Sequence, residues 1–445
     1  MEVFVKLLFI SLGCDKNLAD SEEMLGILQS KGYEFTDDER EAEIIIINSC
    51  CFIQDAKEES INTILEMAQC KIHFKCRALI VTGCLAQRYQ EEIYKEIPEV
   101  DAILGTSSFD VIAEVAEQAL QGGRPQIFKD LNRLPDIKTE RIVTTGGYYA
   151  HLKIAEGCDK HCTYCIIPKI RGKYRSVPME KLIYQAEQLA AKGVKELILV
   201  AQETTMYGMD IYGEKSLHKL LKNLCKINGI QFIRLLYCYP EEIYDELIQT
   251  VKEEKKICNY IDMPIQHCND RILKKMGRRT SKQEIKEIIN KLRQEIPDII
   301  IRTTLITGFP SETEEEFQEM AEFVDEMEFD RLGVFVYSPE EGTAAANFEE
   351  QIEPEVKEDR QCELMELQQE IAFEKSEKKV GKEMLAVVEG MVADENAYIG
   401  RTYMDSPGID GYVFIQTGET LMTGDFVRVR ITGASDYDLI GELCS

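Results

Sequence analysis

The sequence lacks an excess of basic residues. Its 445 residues include 52 Lys and Arg against 80 Asp and Glu, which gives a formal net charge of −28. Proteins that bind nucleic acid use basic surface to displace counterions, and this chain offers none in bulk. The charge does not exclude a local basic groove, but it favours a basic protein as the partner over nucleic acid.

Long apolar runs are also missing. No run in the sequence approaches the roughly 18 apolar residues that a membrane span needs. The short apolar start is interrupted by Lys6, and no small-residue cleavage site follows it. The 15 cysteines are an odd number in a large chain, which argues against a disulfide framework. We therefore expect a cytoplasmic protein with no membrane partner, whose thiols are reduced and in part bind metal.

The first part of the chain, residues 1–121, has the pattern of a small parallel α/β domain. Its continuous apolar stretches, typical of buried parallel strands, are residues 4–12, 43–48 and 79–82. Its stretches with helical spacing and charged faces are residues 20–32 and 55–69. Residues 122–147 contain Pro and Gly with little periodicity, which predicts a linker.

The middle of the chain, residues 148–375, repeats a strand–helix unit. The six strand candidates are residues 151–155, 196–201, 232–237, 260–265, 299–308 and 332–337. Six units predict a partial (β/α)6 barrel, in which functional residues lie at the carboxyl ends of the strands. The polar and glycine residues at those ends are Gln202, Glu203, Gln266, His267, Gly308, Tyr337 and Ser338.

The end of the chain has a different texture. A charged helical stretch over residues 353–379 leads into short apolar runs that are separated by Gly-rich turns. Residues 378–445 are therefore predicted to form a small β-barrel module. The predicted fold class is α/β, with a parallel α/β domain, a partial barrel and this terminal module.

Cys158, Cys162 and Cys165 form one compact motif after the first barrel strand. Three thiolates on one loop can hold three irons of a [4Fe–4S] cluster. They leave the fourth iron open, as a catalytic centre requires. A zinc loop is the alternative, but it usually needs a fourth ligand, and His161 adjoins an inward-pointing Cys162. These cysteines are our candidates for both metal binding and catalysis.

Cys14, Cys50 and Cys84 each follow an apolar strand of the first domain. The carboxyl ends of parallel strands meet at one edge of a sheet, which is the usual ligand-binding edge. Three thiolates at that edge would hold a second cluster with one open iron. Free cysteine is also a common core residue, so packing remains the alternative for these three.

The cysteine motifs resemble the radical S-adenosylmethionine superfamily and, over essentially the whole chain, the methylthiotransferases. The segments that carry the resemblance are SLGCDKN at 11–17, NSC at 48–50, VTGCLAQR at 81–88, GCDKHCTYCIIP at 157–168 and GFPSET at 308–313. The terminal module is similar to the TRAM domain of these enzymes. The resemblance implies two [4Fe–4S] clusters and S-adenosylmethionine as cofactors. It further implies that the first three cysteines hold an auxiliary cluster that carries sulfur.

Within that family, residues 55–60, 200–208 and 264–267 are similar to the ribosomal-protein aspartate methylthiotransferases, the RimO type. This resemblance implies transfer of a methylthio group to the β-carbon of an aspartate in a basic small-subunit ribosomal protein of the uS twelve type. An electron donor such as a flavodoxin or ferredoxin is implied as a second partner. The alternatives are a tRNA methylthiotransferase acting on a modified adenosine and a non-catalytic electron carrier.

Several further residues are candidates for the cofactor site. Gln202 and Glu203 are placed to hydrogen-bond the amino group of S-adenosylmethionine, and Arg302 to pair with a carboxylate. A structural ion pair is the alternative for Arg302. The remaining predicted cofactor-binding residues are Gln266 and Gly308. His267 has two readings, as a cofactor contact or as a structural histidine.

One departure from the family pattern creates an ambiguity among the ligands. Cys51 stands where the pattern usually has glycine, so it could compete with Cys50 for iron. We assign the ligand to Cys50 because of its position in the motif. The cysteines that lack partners at metal spacing are expected to be unligated thiols: Cys70, Cys76, Cys225, Cys238, Cys258, Cys268, Cys362 and Cys444.

Overall fold

The computed structural model describes residues 5–393 and 397–444. Phe4, where the first strand is expected to begin, lies outside these residues, as do Ser445 and residues 394–396 of the predicted terminal module. The described chain contains two six-stranded sheets, a closed five-stranded barrel and one two-stranded ribbon. None of its helices combines the length and apolar character needed to cross a membrane.

The first domain is a parallel sheet with helices around it. Its strands are β1 (Lys6–Ser11), β2 (Glu34–Phe35), β3 (Ile44–Ser49), β4 (Ala78–Gly83), β5 (Ala102–Leu104) and β6 (Gln126–Ile127). Its helices are α1 (Asp15–Ser30), α2 (Gln54–Ala68), α3 (Cys70–His73), α4 (Cys84–Tyr89), α5 (Glu91–Glu96) and α6 (Ile112–Leu120). The strand order β2-β1-β3-β4-β5-β6 places β1, β3 and β4 side by side. Their carboxyl ends therefore share one edge of the sheet.

The second sheet is also parallel and carries the strand–helix repeats. Its strands are β7 (Tyr149–Lys153), β10 (Glu196–Val200), β11 (Phe232–Leu235), β12 (Ile257–Asp262), β13 (Ile300–Thr307) and β14 (Arg331–Val336), and a ribbon of β8 (Ala155–Glu156) and β9 (Arg175–Ser176) follows β7. Its helices are α7 (Ile167–Arg171), α8 (Met179–Ala191), α9 (Met209–Tyr212), α10 (Leu217–Leu224), α11 (Asp245–Glu253), α12 (Asp270–Lys275), α13 (Lys282–Glu295), α14 (Glu314–Met327) and α15 (Pro354–Glu377). The order β14-β13-β12-β11-β10-β7 follows the chain from one edge to the other, as in a partial barrel.

The terminal module is a closed β-barrel. Its strands are β15 (Glu383–Met391), β16 (Ala397–Thr402), β17 (Val413–Gln416), β18 (Phe426–Ser435) and β19 (Asp438–Leu443). They close in the order β15-β16-β17-β19-β18, so the barrel has no free edge. The predicted fold class, with two parallel α/β units and a small β-barrel, is confirmed.

The β-barrel packs against one face of the second sheet. Side chains along β10 alternate between the two faces of the sheet. Leu197 and Leu199 belong to the core beneath the helices, whereas Ile198 and Val200 belong to a core shared with β-barrel residues such as Val413. The sheet is therefore covered on both sides, which explains its nearly continuous apolar strands.

A buried ion network fixes this packing. Glu196, at the start of β10, receives the guanidinium of Arg401 at 2.6 Å and that of Arg234 at 2.9 Å. All three side chains are fully buried. Arg401 comes from the β-barrel, so the network joins that module to the sheet. Arg401 also pairs with Glu389 at 2.9 Å, so two guanidinium groups face two carboxylates, which is what allows the group to be buried.

Residues 122–147 do more than connect two domains. Gln126–Ile127 form β6 and extend the first sheet, within a segment predicted to be a linker. A two-residue strand is too short to produce a periodic pattern, so the sequence does not reveal it. Further along, Arg141 pairs with the buried carboxylate of Glu22 on α1. This connection is therefore packed onto the first domain.

Replacing Arg401 with methionine tests the ion network. Arg401→Met leaves two carboxylates, Glu196 and Glu389, facing the single guanidinium of Arg234, and we expect a loss of about 3–5 kcal/mol in the free energy of unfolding. Chemical denaturation measures this change. Arg430→Met is the control, because Arg430 belongs to the same β-barrel and forms an exposed pair with Glu383. We expect no measurable change for the control. Equal losses in both variants would show that the buried network contributes no more to stability than an exposed pair.

Candidate metal centres

The loop from β8 to α7 brings Cys158, Cys162 and Cys165 together. Gly157 opens this loop with a φ of 74°, and a Cβ there would lie 2.2 Å from the carbonyl oxygen of Lys173. Only glycine fits this crossing of two backbones. Burial raises the pKa of Cys158 to about 12, and the charge of Cys162 adds to this effect. Burial and then the charges of Cys162 and Cys158 also raise the pKa of Cys165, so the three sulfurs lie close enough for their charges to interact as thiolates.

The donor set fits a cluster better than a single ion. Each thiolate of a [4Fe–4S] cluster binds a different iron, so the three sulfurs need not converge on one point. Among residues 5–393 and 397–444, no three His, Cys, Asp or Glu side chains are arranged to hold one metal ion. His161 is exposed while Cys162 beside it is buried, so the two point in different directions.

Gln202 and Glu203 lie beside this loop, at the carboxyl end of β10. Gln202 donates a hydrogen bond to Glu156 at 3.3 Å, while its buried Oε1 has no hydrogen-bond partner among the described residues. Glu203 is 2% exposed and lies 3.8 Å from the ammonium of Lys160. An unsatisfied acceptor and a buried carboxyl suit a ligand that carries an amino group. Their assignment to S-adenosylmethionine stays a prediction.

Two residues at neighbouring strand ends have strained backbones. Tyr237 follows β11 with a φ of 59°, and Gln266 follows β12 with a φ of 73°. Gln266 is fixed by a backbone hydrogen bond to the carbonyl of Thr304 at 2.8 Å. Strain of this kind persists where the surroundings enforce it and is common at ligand sites. The sequence predicts a role for Gln266 and gives no signal for Tyr237.

Gly308 and His267 are organised around one buried carboxylate, that of Glu312. The Gly308 N–H donates to it at 3.2 Å, and Arg360 pairs with it at 2.7 Å. His267 lies 3.4 Å from the same carboxylate, and its Nδ1 accepts from the backbone N–H of Asn269. His267 is fully buried in this arrangement. These contacts are those expected of a structural histidine, but its buried Nε2 has no hydrogen-bond partner among the described residues, so both alternatives for His267 stay predictions.

Arg302 is placed on the face of the sheet that meets the β-barrel. It pairs with Asp262 on β12 at 2.9 Å and with Asp410 of the β-barrel at 3.3 Å. Both carboxylates belong to this chain, so the two ion pairs of Arg302 are those of a structural residue. The sequence also suggests a cofactor carboxylate as its partner, and that assignment stays a prediction.

The other three cysteines lie at the shared edge of the first sheet. Cys14 is the N-cap of α1, Cys50 follows β3, and Cys84 begins α4 directly after β4. A Cβ at Gly13 would lie 2.6 Å from the Cβ of Cys50, so the chain beside Cys14 packs directly against Cys50. Cys14 is exposed, while Cys50 and Cys84 are buried. The site therefore opens to solvent at Cys14.

Cys50 and Cys51 differ in their neighbours. The pKa of Cys50 is raised by burial and then by the charge of Cys14, and Cys50 also acts on Cys84. Cys51 is fully buried and its backbone carbonyl accepts a hydrogen bond from Arg88 at 3.1 Å. Cys14 is among the main causes of the raised pKa of Cys50 but not among those of Cys51. Cys51 and Cys50 both raise the pKa of Cys84, so the contact of Cys50 with the chain beside Cys14 is what supports it as the third ligand, and that assignment stays a prediction.

Arg171 joins the two cysteine sites. It ends α7, six residues after Cys165, yet its guanidinium lies 3.5 Å from the sulfur of Cys84. It also pairs with Asp20 at 2.7 Å and with Glu156 at 3.1 Å. Burial raises the pKa of Cys84, and the charge of Arg171 opposes that rise. The sequence gives no signal for this role because Asp20 and Cys84 are distant from Arg171 in the chain.

Comparison with known families assigns each part of the chain. Residues 6–105 match the uncharacterized protein family UPF0004, residues 152–324 match the radical SAM superfamily, and residues 380–444 match the TRAM domain. The two cysteine sites fall in the first and second of these matches. The closed β-barrel coincides with the third.

Similar proteins cover nearly the whole chain. The ribosomal protein uS12 methylthiotransferase RimO of Lachnoclostridium phytofermentans is 61% identical over 98% of this chain and 99% of that protein. Proteins of the same name from Thermoanaerobacter sp. and Acetivibrio thermocellus are each 51% identical. The match to the Thermoanaerobacter protein covers 97% of this chain and 98% of that protein. The match to the Acetivibrio thermocellus protein covers 98% of each.

Solved structures share the fold. The radical S-adenosylmethionine methyltransferase TsrM of Kitasatospora setae, with cobalamin and a [4Fe-4S] cluster bound, aligns with a TM-score of 0.55. The alignment covers 78% of this chain and 77% of that chain at 14% identity. The same enzyme with tryptophan and a SAM analog aligns with a TM-score of 0.54, over 74% and 72% of the two chains at 14% identity. At this identity the likeness concerns the fold alone.

Replacing Arg171 with methionine tests the link between the two cysteine sites. Arg171→Met leaves Asp20 and Glu156 with fewer counter-charges, and we expect a loss of about 3–5 kcal/mol in the free energy of unfolding. We also expect less iron and sulfide per chain after reconstitution. Lys173→Met is the control, because Lys173 is exposed and only two residues away. Unchanged stability and iron content in Arg171→Met would contradict the assigned role.

The buried carboxyl of Glu203 predicts a pH dependence of stability. Burial raises its pKa from 4.5 to about 7, against the opposing charge of Lys160. The folded chain thus binds this proton more tightly than the unfolded chain, so the stabilisation is complete below pH 4.5 and is lost as the pH rises through 7. Between about pH 5 and about pH 8, Glu203→Gln should gain up to about 3 kcal/mol relative to wild type.

Chemical denaturation at both pH values measures this gain. Glu253→Gln is the matched control, since Glu253 is exposed at the end of α11. A Glu203→Gln variant whose stability relative to wild type is the same at both pH values would show that this carboxyl keeps its ordinary pKa.

Proposed function

The chain belongs to the ribosomal protein uS12 methylthiotransferase (RimO) family, and from this membership we propose that its two cysteine sites act together on an aspartate of uS12. It is a radical S-adenosylmethionine methylthiotransferase whose terminal module is a TRAM domain. The resemblance predicted from the cysteine motifs is thereby confirmed. We call the group of Cys14, Cys50 and Cys84 the first site and the group of Cys158, Cys162 and Cys165 the second site. The observation that supports their joint action is the contact of Arg171, which follows the loop of the second site, with Cys84 of the first.

Cys158, Cys162 and Cys165 would hold the cluster to which S-adenosylmethionine binds. When bound there, the two cofactors supply radical chemistry that can remove a hydrogen atom from an unactivated carbon, which acid–base groups cannot do. Gln202 would accept a hydrogen bond from the amino group of S-adenosylmethionine through its unpartnered Oε1. Glu203, with its pKa near 7, adds a buried carboxyl that the same amino group would favour in the ionised form.

Cys14, Cys50 and Cys84 would hold a second cluster that supplies the sulfur. Its fit rests on three thiols at one sheet edge, two of them buried and the third at the solvent side. Arg171 lies against Cys84 and offsets the cost of a buried thiolate. The solvent side at Cys14 leaves room for a protein loop to reach the sulfur. An electron donor such as a flavodoxin or ferredoxin would reduce the enzyme.

The charge of the chain supports a basic protein as the substrate. A net charge of −28 attracts a basic ribosomal protein over long distances and repels a polyphosphate such as tRNA. The aspartate that receives the sulfur must enter between the two cysteine sites. We propose its β-carbon as the point of attack, because the target carbon bears no acidic hydrogen and therefore requires a radical.

A substrate competition tests the proposal. Anaerobically reconstituted enzyme, S-adenosylmethionine and a reductant are offered unmodified small ribosomal subunits and unmodified tRNA in parallel. We expect mass spectrometry to find a methylthio gain on an aspartyl peptide of uS12 and none on nucleosides. A gain on a tRNA nucleoside alone would reject uS12 as the substrate.

Single cysteine variants assign the two sites in the same assay. Cys158→Ala should abolish cleavage of S-adenosylmethionine, whereas Cys84→Ala should retain cleavage and lose methylthio transfer. Cys362→Ala is the control, since Cys362 is exposed on α15 away from both sites. Cleavage by Cys158→Ala, or transfer by Cys84→Ala, would contradict the assignment of that site.

A further inference from the structure

Lys16 is a buried cation beside the first cysteine site. It follows Cys14 and Asp15 in the first turn of α1, and only 7% of the residue is exposed. Its ammonium lies 3.4 Å from the centroid of the Tyr237 ring. This cation–π contact crosses the boundary between the first domain and the radical S-adenosylmethionine domain.

The ammonium of Lys16 has an aromatic partner but no carboxylate partner. Lys153 and Lys160, two other lysines with little exposure, each form salt bridges with carboxylates. No salt bridge in the described part of the chain includes Lys16. The nearby Asp15 instead accepts a hydrogen bond from the Tyr237 hydroxyl at 3.1 Å. The charge of Asp15 acts on the Lys16 ammonium, but no carboxylate among the described residues is in salt-bridge contact with it. A buried ammonium without a carboxylate in direct contact is suited to bind an incoming one.

Tyr237 is a fixed platform for this ammonium. Its φ of 59° is uncommon for a residue with a side chain. Its backbone N–H donates to the Asp262 carboxylate at 2.9 Å, and its carbonyl accepts from the Thr204 backbone N–H at 3.0 Å. These bonds hold the strained backbone and aim the ring at α1. The position of the Lys16 ammonium is therefore built from both domains.

Lys16 and its aromatic partner Tyr237 are connected along the chain to both cysteine sites. Cys14, two residues before Lys16, is the exposed cysteine of the first site. The chain that carries Tyr237 continues to Tyr239, whose ring centroid is 5.3 Å from the ammonium of Lys160. Lys160 belongs to the loop of the second site. A group bound at Lys16 therefore has the first site beside it, and the segment from Tyr237 to Tyr239 links it to the loop of the second site.

We propose that Lys16 binds the side-chain carboxylate of the target aspartate. This inference rests on the proposed function, since it concerns that substrate. The carboxylate carbon of aspartate is bonded directly to the β-carbon, so an anchored carboxylate positions the carbon that receives sulfur. Lys16 also distinguishes aspartate from asparagine, because a neutral amide forms no ion pair with the ammonium.

A double-mutant cycle on binding tests the proposal. Reconstituted enzyme with S-adenosylmethionine but no reductant is titrated with a uS12 peptide that contains the target aspartate, and with the same peptide carrying asparagine. For wild-type enzyme we expect the asparagine peptide to bind about tenfold more weakly or worse. For Lys16→Met we expect both peptides to bind with the same weakened affinity. Lys31→Met, which removes an exposed lysine at the other end of α1, should behave as wild type.

The outcomes separate this inference from the proposed function. Wild-type enzyme that fails to modify uS12 rejects the function itself. Wild-type enzyme that modifies uS12 but binds both peptides equally overturns the role of Lys16, and this arm needs no enzyme variant. An undiminished preference for aspartate in Lys16→Met overturns it as well.

The carboxylate of S-adenosylmethionine is the other possible partner of Lys16. The affinity of each variant for S-adenosylmethionine, measured without peptide, shows whether Lys16 binds the carboxylate of the cofactor or that of the substrate aspartate. We expect Lys16→Met to bind S-adenosylmethionine as wild type does. A weakened affinity for S-adenosylmethionine, with peptide discrimination retained, would assign Lys16 to the cofactor and overturn the proposal.

Discussion

The buried guanidinium of Arg171 is the interaction on which the arrangement of the two cysteine sites depends. It belongs to the loop that carries Cys165, yet its partners Asp20 and Cys84 belong to the first domain. Such a charge is tolerated in the interior only when each partner is in place. The contacts that pack the two domains together therefore also place the two cysteine sites relative to each other. The proposed delivery of sulfur to a substrate held between the two sites requires that kind of fixed relation.

Most of the fold could be predicted from the sequence because its strands are apolar on both faces. Residues 43–48 and 79–82 are continuous runs, and the structure places them as β3 and β4 in a sheet covered by helices. The second sheet is covered by helices on one side and by the TRAM domain on the other, which preserves the same signal. Short elements such as β6 escaped prediction because two residues carry no periodicity.

Residue type and spacing single out six cysteines, and the structure places them in two groups of three, whose role as cluster ligands stays a prediction. The site was not predictable where function depends on contacts across domains. Lys16 and Tyr237 are far apart in the chain, and neither lies in a pattern that reveals a cation on an aromatic ring. Arg302 is a different case. Its charge on a strand of the second sheet suggested a ligand carboxylate as one of two possible partners, whereas the structure places Asp262 and Asp410 in contact with it.

The central claim of this account is that two iron–sulfur clusters sit in one continuous active site. Electron paramagnetic resonance of the fully reduced, reconstituted enzyme measures this directly. If the two clusters are held together as proposed, their signals will show magnetic coupling that disappears when either set of three cysteines is replaced by alanine. Two independent signals whose sum reproduces the wild-type spectrum would contradict the account.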